Sequence, residues 1–454
     1  MNIINPATNA VITTVIADDQ QTIDAKIATA KVGQKSWALT PLNSRIAILQ
    51  KFGALLQTHI NNSAEILSSE VGKPLQQSKN EINGAVARIE WLTANAAAAF
   101  AEEWVVESGS TREKIAYEPL GIVCNISAWN YPYLVGTNVF VPALLAGNAV
   151  LYKPSELATL TGLEIQKYLY QAGVPEAVFQ CVIGAKEAGE LLLNADLDGY
   201  FFTGSYKTGK YIYERVSKKM KPCGLELGGK DPLYVTDDID DITTVAANTA
   251  DGAFYNNGQS CCSVERIYVH EKVYDAYVAA FVAEVKSYKI GTPMQENTYI
   301  GALTRKEQPA LLSEQVKDAL SKGAILLCGG KTIAGDGNYF EPTVLVNVDH
   351  TMEVMMEESF GPIIGIMKVK DDAQALELMN DTQYGLTAAV FCRDEPRALA
   401  LQQQLNAGTV YWNCCDRVSA ALPWSGRNHS GFGSTLSKVG LRVFTQPKAY
   451  HLRS

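Results

Sequence analysis

Residues 121–133 read GIVCNISAWNYPY. A short apolar, β-branched run gives way to polar and aromatic residues and then to Pro132, which predicts a buried strand ending in a loop. The pattern returns as AVLY at 149–152, VFQCV at 178–182 and YFFT at 200–203, with amphipathic stretches of helix length at 160–172 and 186–194 between them. Short strands alternating with helices predict βαβ units and a parallel sheet. Upstream, Ile46, Leu49, Phe52, Leu56 and Ile60 recur at helical spacing and Gly72 with Pro74 ends a segment, so 18–100 reads as a helical layer. Downstream, VERIYVH (264–270), AILL (324–327) and AAVF (388–391) predict a second α/β domain. The late stretch VFTQPKAYHL (443–452) is extended in type but carries Pro447, which suits an edge strand, one added to another subunit.

The 454 residues exceed what one core holds, so two or three domains are expected. Hydrophobic residues at 47% and charged residues at 19% supply enough apolar material for packed cores and exclude wholesale disorder. With 48 acidic against 39 basic residues the net charge is −9, and no basic run grips phosphates, so nucleic acid is not an expected partner. The opening MNIINPATNAVITT lacks a signal pattern, and no long apolar run predicts a membrane span. Nine cysteines, an odd number that includes the adjacent pairs Cys261–Cys262 and Cys414–Cys415, do not form a disulfide framework. A reducing, cytoplasmic location is expected.

Four stretches carry chemistry. In NNGQSCCSVERIYV (256–269) a Gly, small residues and two cysteines precede a strand, the loop edge where a thiol is exposed enough to act as a thiolate; a buried small hydrophobe is the alternative. In LELGGKDP (225–232) Glu226 sits between apolar residues, which raise a carboxyl pKa toward general-base use; a strand-end carboxylate bonded to loop amides is the alternative. Asn130 follows a buried strand, where its amide can donate to an oxyanion or simply make a turn. FFTGSYKTG (201–209) follows a strand and opens a helix at Gly204, Ser205 and Gly209, offering N–H groups to a phosphate or plain capping. YKPSE (152–156) adds Lys153 and Glu156 at the same sheet edge, as ribose contacts or as a surface ion pair.

In this order the four stretches resemble the aldehyde dehydrogenase superfamily, in its hydrolytic, non-CoA-acylating branch. VFVPALLAGNAVLYKPSE (139–156), EESFGPIIGIMKV (357–369), NDTQYGLTAAVF (380–391) and SGFG (430–433) extend the likeness over nearly the whole chain. The resemblance implies an α/β fold with a Rossmann-type cofactor domain (1–99 and 120–227), an α/β catalytic domain (228–430) and a small β oligomerisation element (100–119 and 431–454). It implies that Cys261, two positions after Gln259, is the nucleophile, with Cys262 a bystander. Glu226 is implied as general base and Asn130 as oxyanion donor together with the Cys261 N–H. Lys153 and Glu156 are implied at the adenosine ribose, Ser205 by the pyrophosphate, Glu358 and Phe360 at the nicotinamide ribose and Gly184 on the adenine side. Trp129, Ser155, Gly204, Gly209 and Leu227 complete the implied cofactor set. The cofactor is NAD, with NADP possible; the substrate is a small aldehyde, and no metal is implied.

The sequence also departs from the family pattern. A PFGG-type segment is replaced by LPWSGRNHSG (422–431), and eight residues after Asn130, where succinate-semialdehyde members often carry an Arg, stands Asn138. Arg417 is another candidate anchor for a substrate carboxylate. Tyr131, Tyr133, Phe254, Tyr255 and Trp424 suggest an aromatic-rimmed tunnel. The alternatives are a succinate-semialdehyde dehydrogenase and a catalytically silent binding protein on the same fold. The resemblance also implies a homodimer or homotetramer, residues 443–452 pairing with a neighbouring subunit near 110–119.

Overall fold

The computed structural model describes residues 1–453. The chain opens with a two-stranded hairpin, β1 (Asn2–Asn5) and β2 (Ala10–Thr14), which the sequence reading did not anticipate. Four helices follow: α1 (Gln20–Leu39), α2 (Leu42–Thr58), α3 (Ile60–Val71) and α4 (Leu75–Ala99). Asp19 caps α1 by accepting from Thr22 N, and Gly72 ends α3 at φ 82°, a left-handed turn that glycine adopts without strain.

After the hairpin β3 (Glu103–Ser108) and β4 (Thr111–Pro119) comes the alternating region. It consists of β5 (Ile122–Ile126), α5 (Pro132–Ala146), β6 (Ala149–Lys153), α6 (Thr159–Ala172), β7 (Phe179–Cys181), α7 (Lys186–Asn194), β8 (Gly199–Thr203), α8 (Tyr206–Val216) and β9 (Cys223–Glu226). A second region holds β10 (Asp231–Val235), α9 (Ile242–Phe254), β11 (Val264–His270), α10 (Tyr274–Ser287), α11 (Gln308–Ser321), β12 (Ile325–Cys328) and β13 (Thr343–Val346). It continues through α12 (Glu353–Met356), β14 (Ile363–Val369), α13 (Asp372–Asn380), β15 (Thr387–Phe391), α14 (Glu395–Gln402) and β16 (Thr409–Trp412). The chain then adds β17 (Gly431–Phe432), α15 (Ser437–Arg442) and β18 (Thr445–Arg453).

The first large sheet has the order β17-β9-β8-β5-β6-β7, parallel except for β17. Chain order starts in the middle at β5, runs outward through β6 and β7, and returns to the other side at β8. This is a doubly wound sheet with its switch point beside β5. Alternate residues of β5 face two cores: Val123 packs with α2, α4, α5 and α6, whereas Ile122 and Cys124 pack with α1, α7 and α8. The second sheet, β12-β13-β14-β11-β10-β15-β16, is parallel apart from the β12 edge and is likewise covered on both faces.

The third sheet has the order β18-β4-β3. Residues 443–452 were expected to pair with a neighbouring subunit; instead β18 (Thr445–Arg453) pairs in full antiparallel register with this chain's own β4, from Thr445↔Pro119 to Arg453↔Thr111. The β3–β4 hairpin leaves one edge of β4 open, and the chain's own late strand fills it, with Pro447 on an edge strand where its missing N–H costs no central ladder bond. Within 431–444, β17 joins β9 in the first sheet, and Leu441 and Phe444 pack in the core of the helical layer. No helix is long and apolar enough to cross a membrane.

Candidate active site and cofactor groove

The loops after β5, β6, β7, β8 and β9 all leave the same carboxyl edge of the first sheet, the edge at which doubly wound folds bind ligands. Trp129 and Asn130 follow β5, Lys153 to Glu156 lie at and beyond the end of β6, Gly184 follows β7, Gly204 and Ser205 follow β8, and Glu226 ends β9. The second sheet contributes from its other end: Cys261 lies in the turn that feeds β11.

Cys261 and Glu226 open onto one cavity of ≈ 610 Å³, walled by α4, α5 and the loop after β16. Burial raises the Glu226 carboxyl above its ordinary value, opposed by hydroxyl donation from Thr435 and by the charge of Arg88. Oε1 accepts from the Thr435 hydroxyl and Oε2 from Thr203 Oγ1 at 3.4 Å; no hydrogen bond joins Glu226 to Cys261. Thr435 is presented by backbone bonds in both directions with Trp424 (2.8 and 2.9 Å), whose ring also lines the cavity. The nucleophile loop packs tightly on the strand bearing the base, for a Cβ on Gly229 would lie 2.7 Å from the Cys261 carbonyl oxygen.

Asn130 is buried off the cavity wall, and its Nδ2 donates to the Gln259 carbonyl at 3.1 Å, which joins it to the segment two residues ahead of the thiol. Its own carbonyl accepts from Lys73 Nζ (2.8 Å) and Asn256 Nδ2 (3.1 Å). Cys262 is buried and donates through Sγ to Asp416 Oδ1 at 2.9 Å. Its hydrogen bond with Cys261, then burial, push its thiol well up, while burial pushes Asp416 to about 7. Of the expected aromatic rim, Tyr131, Tyr255 and Trp424 do line the cavity. Tyr133 and Phe254 do not: Tyr133 is buried with its hydroxyl on Glu164 Oε2 at 2.7 Å, and Phe254 packs in the core under the second sheet.

Along the cofactor edge, Ser205 caps α8 by accepting from Thr208 N at 3.4 Å, which leaves the other first-turn N–H groups facing outward. Lys153 is buried, yet its ammonium meets only the Pro154 carbonyl at 3.4 Å and Glu156 Oε2 at 3.9 Å; Glu156 is 45% exposed on its side chain. Ser155 accepts from Leu157 N at 3.3 Å. Gly184 adopts φ 151° and packs close to Ala188; Gly209 packs against Leu227, whose N–H donates to Ser430 O at 3.1 Å. The rings of Trp129 and Phe360 meet edge to face at 5.4 Å, and Phe360 holds φ 49°, a backbone strain uncommon for a bulky residue. Glu358 Oε1 accepts from Gly229 N at 3.1 Å, and burial, with Glu265 beside it, pushes its carboxyl to about 8. An under-bonded buried ammonium and an open helix N-terminus beside the switch point fit a dinucleotide. No group of His, Cys, Asp or Glu among the described residues is arranged to hold a metal.

Sequence reading missed two buried pairs. Lys73 Nζ bonds Glu81 Oε2, and Glu81 Oε1 accepts from Tyr133 N at 2.9 Å. Lys230 Nζ bonds Glu265 Oε2 at 2.7 Å, and Glu265 accepts from the N–H groups of Ser359 (2.8 Å) and Phe360 (3.0 Å). It also missed Arg88 on the cavity wall. The available signal was charge on a buried stripe: Gln77, Glu81 and Arg88 recur at helical spacing beside Ile82, Ala85 and Ile89.

The chain matches the model of the family described as "Aldehyde dehydrogenase family" over residues 1–450. It is 33% identical to aminoaldehyde dehydrogenase 2 of Zea mays, with 97% of this chain and 89% of that protein covered. It is likewise 33% identical to glutarate-semialdehyde dehydrogenase of Pseudomonas putida, covering 99% and 93%. The crystal structure of betaine aldehyde dehydrogenase from Staphylococcus aureus in complex with NAD+ superposes with a TM-score of 0.95 at 29% identity, covering 100% and 92%. With the doubly wound edge and the thiol and carboxyl on one cavity, these matches show that the chain belongs to the aldehyde dehydrogenase family.

Proposed function

We propose that Cys261, Glu226 and Asn130 carry out the oxidation of an aldehyde to its carboxylic acid with reduction of NAD. One observation carries the assignment: Cys261 and Glu226 open onto the same cavity, with Asn130 bonded to the segment that holds the thiol. The Cys261 thiolate attacks the aldehyde carbonyl, and the Asn130 amide and the Cys261 N–H donate to the resulting oxyanion. NAD held in the groove would supply the hydride acceptor. The thioester left on Cys261 is opened by water that gives its proton to Glu226, which releases the acid and restores the thiol. Lys153 and Glu156 would hold the adenosine ribose, and Gly204, Ser205 and the first turn of α8 the pyrophosphate. Trp129, Glu358 and Phe360 would serve the nicotinamide end and Gly184 the adenine side, with Ser155, Gly209 and Leu227 shaping the groove. Glu156 favours NAD because a carboxylate at the ribose repels a 2′-phosphate, whereas Lys153 leaves NADP usable.

Nine free cysteines support a reducing cytoplasmic setting, and the small β18-β4-β3 sheet supports a homodimer or homotetramer. The test is a set of three variants. Cys261→Ala abolishes turnover, Cys262→Ala keeps most of it, and Glu226→Gln gives a burst of reduced cofactor with an acyl adduct visible by intact mass. Equal loss in both cysteine variants, or a Glu226→Gln enzyme with neither burst nor adduct, overturns the assignment.

A further inference from the structure

Between the end of α9 and Cys261 the backbone reverses its hand. Asn256, Asn257 and Gly258 hold φ 54°, 59° and 68°, three successive residues in the left-handed region. Side chains are strained there, and Asn is among the few that bear it. Both asparagines are fully buried, and neither lines the catalytic cavity. Asn257 is bonded at both ends of its amide, donating to the Ala302 carbonyl at 3.0 Å and accepting from Gly301 N at 2.7 Å. Asn256 is used at its donor end only. Its Nδ2 donates to the Gln259 carbonyl at 2.9 Å and to the Asn130 carbonyl at 3.1 Å, whereas its Oδ1 meets no donor among the described residues. The Asn130 amide returns to the same Gln259 carbonyl at 3.1 Å, which closes a triangle between the loop after β5 and the loop before β11.

We infer that Asn256 is a positioning residue for the oxyanion pocket: its amide fixes the spacing between Asn130 and the segment that presents the Cys261 N–H. This rests on the oxyanion role proposed for those two donors. They belong to different sheets, Asn130 following a strand of the first and Cys261 preceding a strand of the second, so their spacing needs a bond that joins the two loops. A planar amide on a one-carbon stem can aim two N–H groups at two carbonyls at once, and asparagine combines that stem with tolerance of the left-handed backbone. The turn does not depend on this side chain for its place. Gln77 Oε1 accepts from Asn256 N at 2.9 Å, Thr304 N donates to Gln259 Oε1 at 3.0 Å, and Lys73 holds the Asn130 carbonyl from the other side. Removing the Asn256 donors therefore loosens the pocket within a turn that is still anchored, and a misplacement of about 1 Å costs on the order of 10²-fold in rate.

The test reads a single turnover in the full-length enzyme carrying Glu226→Gln, with NAD and whichever of propanal, hexanal and benzaldehyde the unmodified enzyme oxidises fastest. The amplitude of the burst of reduced cofactor counts intact sites, and its rate constant reads the step that the oxyanion pocket serves. Adding Asn256→Gly, which suits the backbone conformation and removes both donors, is expected to lower that rate constant by about 10- to 100-fold, approaching the loss of one oxyanion donor. Adding Asn257→Gly, in the same turn and equally buried, is expected to lower the amplitude or the Tm and to leave the rate constant near that of the parent. Because Asn256 is buried, Asn256→Ser serves as a second variant: it keeps one donor in place of two and should fall between the parent and the glycine variant. In an Asn130→Ala background the factor lost through Asn256→Gly should shrink, because the donor it places is gone. A rate constant unchanged in both Asn256 variants, an equal fall with Asn257→Gly, or a factor that is the same with and without Asn130 overturns the inference. Absence of a burst in the Glu226→Gln parent overturns instead the roles proposed for Cys261 and Glu226.

Discussion

Two buried lysine–glutamate pairs flank the site and work in opposite senses. Lys73 and Glu81 stand eight residues apart on either side of the start of α4, and the lysine meets the catalytic loop: it donates to Asn130 O and lies 3.8 Å over the Tyr131 ring. Lys230 and Glu265 are 35 residues apart, at the ends of two neighbouring strands, and here the glutamate meets the loop by accepting from two successive N–H groups at Ser359 and Phe360. The first pair steadies a loop by giving hydrogen to a carbonyl, the second by taking hydrogens from amides. The difference teaches that a buried ion pair is a poor source of net stability but an effective clamp when one end has bonds to spare.

Cutting the first clamp should have the largest effect. Lys73→Met leaves Glu81 buried without its cation and frees Asn130 O, which predicts a loss of about 3–5 kcal/mol in stability and a fall in kcat. Thermal unfolding and turnover measure the two losses; a variant with unchanged Tm would mean that Glu81 is already uncharged in the native protein. Cutting the second clamp should cost less, because Glu265→Gln keeps one oxygen as acceptor for the N–H groups of Ser359 and Phe360, although its amide leaves Lys230 without its anion. About 1–3 kcal/mol is expected, with KM for NAD rising more than kcat falls. A change confined to kcat would mean that the 358–360 loop serves chemistry and not cofactor binding.

The smallest effect lies between the clamps. Thr435 donates to the Glu226 carboxylate and so favours its charged form; Thr435→Val removes that donor and raises the pKa further. On the general-base role proposed for Glu226, in which the deprotonated carboxylate acts, the acid side of the kcat profile moves to higher pH while the rate well above it holds. A pH–rate profile checks this, and a shift to lower pH would show that Thr435 opposes the base.

The parts of the site built from strand ends and helix starts were legible in the sequence, because a period of two followed by a period of 3.6 marks the carboxyl edge wherever it occurs. Gly204–Ser205 and Asn130 could be placed at that edge this way, and the Cys261–Cys262 pair at a loop just before β11, whereas the choice of Cys261 over Cys262 came only from the family resemblance. The clamps were not legible. Glu81 and Arg88 have the composition of a solvated helix face, and only their coincidence with the buried stripe of α4 gives them away, while Lys73 sits in the turn before that helix, where a lysine reads as exposed. Nor could the partner of β18 be read, since its register is fixed by residues more than three hundred positions earlier. Tyr133 and Phe254 show the same limit, for an aromatic side chain fits a tunnel wall and a core equally well until its neighbours are known.

The Glu226–Thr435 bond also sets an order of events during synthesis. The two residues lie 209 positions apart, and the strand β17 beside Thr435 completes the sheet edge next to β9. A nascent chain holds both Glu226 and Cys261 long before Thr435 has been made, while β16 and β17, the last strands of the two large sheets, are also still missing. Until then the base lacks its main hydroxyl donor, and the substrate cavity lacks the Trp424 wall. On the role proposed for it, the Cys261 thiol is thus open to solvent and oxidants before its cavity is closed, and the interval between the two is set by the rate of translation.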